Sequence, residues 1–144
     1  MPTVNRSALV RHTPQKMFDL VNDFERYPEF LPGCRHARLV ESDDKHLIGE
    51  MTLGRAGIEQ TITTRNDLFT PERIEMSLVK GPFKHLRGRW SFIPMGADAC
   101  KVSLEMEFEF SSRLLGMAFG KLFQQIAGQL VDAFTKRADQ LYGR

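Results

Sequence analysis

Val102-Ser103-Leu104-Glu105-Met106-Glu107-Phe108-Glu109-Phe110, running directly into Ser111-Ser112-Arg113-Leu114-Leu115-Gly116, is where the hydrophobic period of the chain changes from strand-like to helical. Val102, Leu104, Met106, Phe108 and Phe110 face one way and Ser103, Glu105, Glu107 and Glu109 the other, which predicts a strand with one dry and one wet face. Ser111 or Ser112 then supplies an N-cap. Leu115, Phe119, Leu122, Phe123, Ile126, Leu130, Phe134, Ala138 and Leu141 follow as a wide apolar stripe. At 1.5 Å per residue this predicts a single final helix of roughly 45 Å, to about Leu141. Its stripe is too broad for a coiled-coil seam, and the dry face of the strand is its natural partner.

Working upstream, Leu86, Trp90 and Phe92 alternate with Arg87 and Arg89, and the turn chemistry of Pro94 to Asp98 makes this run the hairpin partner of the last strand. Arg87 and Arg89 should then lie across from Glu105 and its neighbours and neutralise them. The same period reaches back to Arg35, with turns at Ser42-Asp43-Asp44, Gly54 to Gly57, Thr70-Pro71-Glu72 and Gly81-Pro82, giving about six antiparallel strands between residues 35 and 110. Thr3 to Arg11 adds one more. Thr13 caps a short helix with Pro14 in its first turn, and Met17, Leu20, Val21 and Phe24 share one face of it.

The chain then enters Tyr27-Pro28-Glu29-Phe30-Leu31-Pro32-Gly33-Cys34, where each proline biases the residue before it toward extended geometry. Tyr27, Phe30 and Leu31 read either as a lid over the interior or as local packing under a tight connection. The order of elements predicts an α+β fold. A curved antiparallel sheet of about seven strands grips a long C-terminal helix, and two short helices follow the first strand.

A length of 144 residues, 42% hydrophobic and 26% charged, suits one folded domain spanning 1–144. A net charge of +2 does not demand an anionic partner, and nothing suggests DNA. The two cysteines, Cys34 and Cys100, have no framework spacing, so reduced thiols are expected. The first residues lack the apolar run of a secretory signal, which leads to an expected cytoplasmic location. No GxSxG, HExxH, Walker loop or GxGxxG occurs. The four histidines are dispersed, only Cys34 and His36 share a strand face, and no metal is expected. Glu105, Glu107 and Glu109 stand on the wet face, away from any pocket, so an enzymatic acid–base pair is not expected either. Asp23, Glu25 and Glu29 flank the lid and read as solvated.

With eleven Phe and seven Met, the interior is the better candidate. Inward positions include Met51, Leu53, Ile62, Ile74, Met76, Leu78, Trp90, Phe92, Leu104, Met106 and Phe108 from strands, and Phe119, Phe123, Ile126 and Leu130 from the helix. They would fill a close-packed core or line a tunnel. The candidate ligand-binding set is Tyr27, Phe30, Leu31, Met51, Ile62, Met76, Phe83, Trp90, Phe92, Met106, Phe108, Phe119, Phe123 and Ile126. Phe83 joins it from the turn Gly81-Pro82-Phe83, with Lys84 and His85 beside it. Together with the Tyr27 to Cys34 segment that turn would form a mouth for an apolar molecule or a contact with a membrane surface. Adaptable Phe and Met side chains suit a flexible prenyl or acyl chain. Gly116, Gly120 and Gly128 on the final helix suggest close approach by backbone or ligand. A polar pair inside the cavity, needed for cyclase or hydrolase chemistry, is not visible.

Tyr27-Pro28-Glu29-Phe30-Leu31-Pro32-Gly33-Cys34, Thr63-Thr64-Arg65-Asn66, Gly81-Pro82-Phe83-Lys84 with Leu86, Gly88, Trp90 and Phe92, and Phe108-Glu109-Phe110 before the helix together resemble one family over essentially the whole chain. It is the group of ribosome association toxins and coenzyme Q-binding proteins among START-like (SRPBCC, polyketide cyclase-like) proteins. The resemblance implies the helix-grip fold and an interior cavity for a hydrophobic ligand, with no cofactor required. It also implies two activities. One branch binds ubiquinone without catalysis and supports respiration, which would place the protein in the cytoplasm or at the inner membrane surface. The bacterial branch is named for a toxin that binds the large ribosomal subunit and blocks its association with the small one. The apolar interior agrees more readily with the first. A ribosomal contact would draw on Lys80, Lys84, Lys121, Lys136 and Arg137.

Overall fold

Alternating burial along each strand folds the chain into one antiparallel sheet of seven strands: β1 Thr3–Val10, β2 Cys34–Ser42, β3 His46–Arg55, β4 Ile58–Phe69, β5 Arg73–Lys80, β6 Phe83–Pro94 and β7 Cys100–Phe110. The computed structural model describes residues 2–55 and 57–143; Ala56, within the turn read at 54–57, lies outside the described residues, as do Met1 and Arg144. The sheet order is β1-β7-β6-β5-β4-β3-β2, so consecutive strands pair except that β1 lies against β7. The connection from β1 to β2 therefore spans the width of the sheet.

The β6–β7 hairpin has the expected register, with Arg87 opposite Glu107 and Arg89 opposite Glu105. Arg87 Nε donates to Glu107 Oε1 at 2.8 Å, whereas Arg89 turns to Glu75 of β5 at 3.5 Å. Both arginines are thus paired within the sheet, and such exposed pairs add little to stability.

Helix α1 spans Pro14–Asn22, and Thr13 Oγ1 accepts from the Lys16 N–H at 3.2 Å, as the Thr-Pro start predicts. It buries Met17, Phe18, Leu20 and Val21. A 3-10 helix, Phe24–Glu29, follows, with Pro28 inside it. This corrects the expectation that the prolines hold Tyr27 in extended geometry. The Tyr27 hydroxyl donates to the Val21 carbonyl and its ring meets Phe24 at 4.9 Å, so tertiary anchoring of that side chain overrides the local bias. Gly49 of β3 completes the fit: a Cβ there would stand 2.6 Å from the Phe24 ring, so only glycine lets the ring lie on the sheet.

The C-terminal helix is two helices, α2 Arg113–Gly128 and α3 Leu130–Tyr142, rather than the single helix expected. Ser112 caps α2 by accepting from Leu115 N–H at 3.1 Å. At the break the Gln129 N–H goes to the Ile126 carbonyl at 3.1 Å, and the ladder restarts where Ala133 N–H reaches Gln129 O at 3.0 Å. Gly128, the poorest helix former nearby, directly precedes it. The helical glycines are not a ligand face. A Cβ on Gly116 or Gly120 would meet the Phe110 ring at 3.7 or 3.5 Å, and one on Gly128 would meet Arg6 at 3.6 Å.

Candidate functional site

Buried rings inside the grip fall into two clusters, with no ring contact between them among the described residues. Phe83, Phe108, Phe110, Phe119 and Phe123 pack around α2, with centroids as close as 4.8 Å for Phe83–Phe110 and Phe108–Phe123. Phe134 of α3 organises the second cluster, with Tyr27 at 5.3 Å, Phe30 at 5.2 Å and Trp90 at 5.2 Å, and Phe24, Phe92 and Phe18 beyond them. Between the clusters the side chains are mostly aliphatic or thioether. The helix break at Gln129 falls at this seam.

A cavity occupies the seam. Its wall comprises Phe24, Tyr27, Leu31, Met51, Leu53, Ile62, Thr64, Asn66, Met76, Leu86, Gly88, Trp90, Met106, Phe123, Ile126, Ala127, Leu130 and Phe134. Its volume is about 60 Å³, room for a few waters. Gly88 widens the sheet side, since a Cβ there would stand 2.7 Å from Met76 Cε.

Of the residues singled out from the sequence, Tyr27, Leu31, Met51, Ile62, Met76, Trp90, Met106, Phe123 and Ile126 stand in this wall. Phe30, Phe83, Phe92, Phe108 and Phe119 do not; they are the packing behind it. Phe30 is only partly buried, its ring edge-on to Phe134 with the Arg137 guanidinium 5.0 Å away. Tyr27 and Leu31 are 6% and 4% exposed, walls rather than rim. Phe83, expected beside a mouth with the Tyr27 to Cys34 segment, is 6% exposed and packs with the rings around α2, apart from the cluster that holds Tyr27. Leu53 and Leu130 were legible as inward positions. Phe24 and Phe134 were legible as members of helical stripes, but nothing local marked them as wall.

The structure also supplies the buried polar pair that the sequence did not display. Thr64 and Asn66 of β4, 6% and 5% exposed, line the cavity, and the Thr64 hydroxyl donates to Asn66 Oδ1 at 3.2 Å. The signal was the strand period. Once Ile62 points inward, Thr64 and Asn66 must follow on the same face. Neither side chain titrates, so the pair offers hydrogen bonds and no general acid or base.

Burial pushes the Tyr27 hydroxyl far above its ordinary value, with the nearby Cys34 and Asp23 adding to the effect, so it stays protonated and bonded to Val21 O. Burial likewise raises the Cys34 and Cys100 thiols from 9.0 to about 11. The unfolded chain ionises these thiols first, so their contribution to stability is whole below pH 9 and is lost as pH rises toward about 11. At pH 8 the folded protein should react with a thiol reagent such as DTNB many times more slowly than the denatured chain. Rapid labelling of both cysteines in the native state would contradict this.

Polar contacts as well as rings tie the crossing segment to α3. Arg137 Nη2 donates to Glu29 at 2.6 Å, and the buried His12 ring contacts Asp139 at 2.8 Å. Among the described residues no group of three or more His, Cys, Asp and Glu side chains could hold a metal ion. Among them too, no helix is long and apolar enough to cross a membrane.

Residues 10–135 match the family described as polyketide cyclase/dehydrase and lipid transport. The chain is 50% identical over 143 residues to a Vibrio cholerae protein named ribosome association toxin RatA, covering 99% of each. It is 24% identical to a Xenopus laevis protein named coenzyme Q-binding protein COQ10 homolog B, mitochondrial, covering 97% of this chain and 59% of that one. A START superfamily structure from Mycobacterium smegmatis, 21% identical, superposes with a TM-score of 0.79 over 96% of this chain and 98% of that chain, a likeness of fold.

Proposed function

Because the chain belongs to the polyketide cyclase/dehydrase and lipid transport family and has the START-like helix-grip architecture, we propose that it is a non-catalytic binder of a hydrophobic molecule, an isoprenoid quinone or similar lipid. The observation that carries this reading is the wall of the seam cavity. It contains no Asp, Glu, His, Lys or Arg, and its only buried polar side chains are already hydrogen-bonded to protein or of amide and indole type. A quinone exceeds the space between the packed side chains, so uptake requires the thioethers of Met51, Met76 and Met106 to repack, which unbranched Met does at low cost. The Xenopus relative's name supports ubiquinone in particular. A cytoplasmic location with peripheral membrane contact fits this role. Leu114 and Met117, 75% and 77% exposed on α2 beside Arg113 and Lys121, are the surface we assign to that contact. Organic extraction of protein purified from its native cell, followed by mass spectrometry, should yield a quinone or isoprenoid lipid. No lipid in the extract, together with no uptake of added ubiquinone-1, would reject the reading.

A second reading rests on a different observation. Identity is 50% to the protein named for ribosome association and 24% to the one named for coenzyme Q, which favours an action on ribosomal subunits, with the large subunit as partner. Among the basic residues considered for it, Lys84 and Arg137 are engaged with Glu109 and Glu29, while Lys80, Lys121 and Lys136 carry no ion pair among the described residues. Sucrose-gradient profiles of ribosomes with added protein should show fewer joined subunits, and unchanged profiles would reject this reading.

A further inference from the structure

The polar side chains of the cavity wall are Tyr27, Thr64, Asn66 and Trp90. The Tyr27 hydroxyl is committed to Val21 O. The Thr64 hydroxyl is committed to Asn66 Oδ1. The two N–H bonds of Asn66 Nδ2 find no acceptor among the described residues, although the residue is 5% exposed. The indole N–H of Trp90, 3% exposed in the same wall, finds none either. The N–H groups of the wall that no protein acceptor meets are thus those of Asn66 and Trp90, and a ligand acceptor placed against one of them would gain a hydrogen bond largely shielded from water. Thr64 also fixes the amide: by donating to Oδ1 it orients the group and polarises Nδ2–H into a stronger donor.

We infer that Asn66 is the polar anchor of the cavity, donating from Nδ2 to a carbonyl oxygen of a neutral, otherwise apolar ligand, with Thr64 as its positioning residue. The proposal rests on the reading of the chain as a hydrophobic-ligand binder and narrows it by chemistry. A ligand carbonyl needs only a donor and finds one in Nδ2, whereas a hydroxyl ligand must also place its own proton, for which the amide oxygen offers only the lone pair left by Thr64. An anionic head group, such as a fatty-acid carboxylate, is disfavoured because no cationic side chain lines the wall and a buried unpaired charge is far costlier than a buried carbonyl. A quinone or ketone on a hydrocarbon frame meets the requirement.

Calorimetric titration of the full chain with three probes tests this: menadione, its carbonyl-free counterpart 2-methylnaphthalene, and decanoate. The wild-type protein should bind menadione about tenfold more tightly than 2-methylnaphthalene, the ratio expected of one well-placed buried hydrogen bond, and decanoate most weakly. Asn66→Leu should shrink the menadione preference to less than about threefold while leaving 2-methylnaphthalene binding nearly unchanged. Thr64→Val keeps the cavity shape and should weaken menadione alone by roughly twofold to fivefold, so it serves if Asn66→Leu does not fold. Equal binding of menadione and 2-methylnaphthalene by the wild type would overturn the anchor and leave the binder reading standing. So would an undiminished preference in the variants. Decanoate binding tighter than menadione would overturn the neutral-ligand class. Binding of none of the three would overturn the anchor and the binder reading together.

Discussion

Replacing Phe134 by alanine is expected to lower the free energy of unfolding by about 3–5 kcal/mol, a large part of what a domain of this size possesses. The ring is 1% exposed and touches Tyr27, Phe30 and Trp90, so its loss unpins the second aromatic cluster at its centre. It is also a wall of the cavity. Truncation therefore enlarges a void that already exists instead of leaving a small one that neighbours can close, and the cost of a core truncation rises with the volume left empty. Urea unfolding followed by circular dichroism checks the expectation, alongside a fall in Tm of roughly 10 °C. A loss below about 1 kcal/mol would show that the cluster does not depend on Phe134.

Ala127→Leu should have the opposite character, with a large effect on ligand uptake and a small one on stability. Ala127 is 2% exposed, belongs to the cavity wall and lies within the last turn of α2. A longer side chain there extends into space that is already empty, so the usual overpacking penalty of about 1–3 kcal/mol is largely offset by the filled void. The same atoms occupy what a ligand would need. Trp90, the only tryptophan, stands in the same wall and reports occupancy directly. Quenching of its fluorescence by ubiquinone-1 should fall at least tenfold in affinity in the variant while Tm moves by only a few degrees. Quenching equal to wild type would place the ligand elsewhere.

The parts of the fold that could be read from the chain are those in which local period and tertiary environment agree. Val102 to Phe110 alternates without exception, and its partner strand does nearly so, which is why the hairpin register and the seven-stranded order followed. The break at Gln129 was hidden because Ile126, Leu130 and Phe134 continue the helical stripe straight through it, while the change of backbone pairing leaves no mark on that stripe. At Tyr27-Pro28 a real local bias is outweighed by a buried ring and its hydroxyl bond. The candidate site was legible where it is apolar. Thr64 and Asn66 are polar members of an apolar interior, so a hydrophobic pattern does not mark them, although the two-residue period from Ile62 points to both. Phe30, Phe83 and Phe119 show the converse: aromatic residues in suggestive positions that pack into the core outside the cavity wall.

The divided C-terminal helix has a mechanical consequence. Each half is short, 16 and 13 residues, and each is fastened to its own set of rings, so the two halves are separately anchored bodies joined at one residue. A small rotation at Gln129 changes the spacing of Phe123 and Phe134 without breaking a hydrogen bond inside either half, and an unbroken helix would have to bend along its length to do the same. A guest taken up as proposed would then meet two walls whose spacing is set by one backbone angle, adjustable in a way that the identities of the surrounding side chains are not.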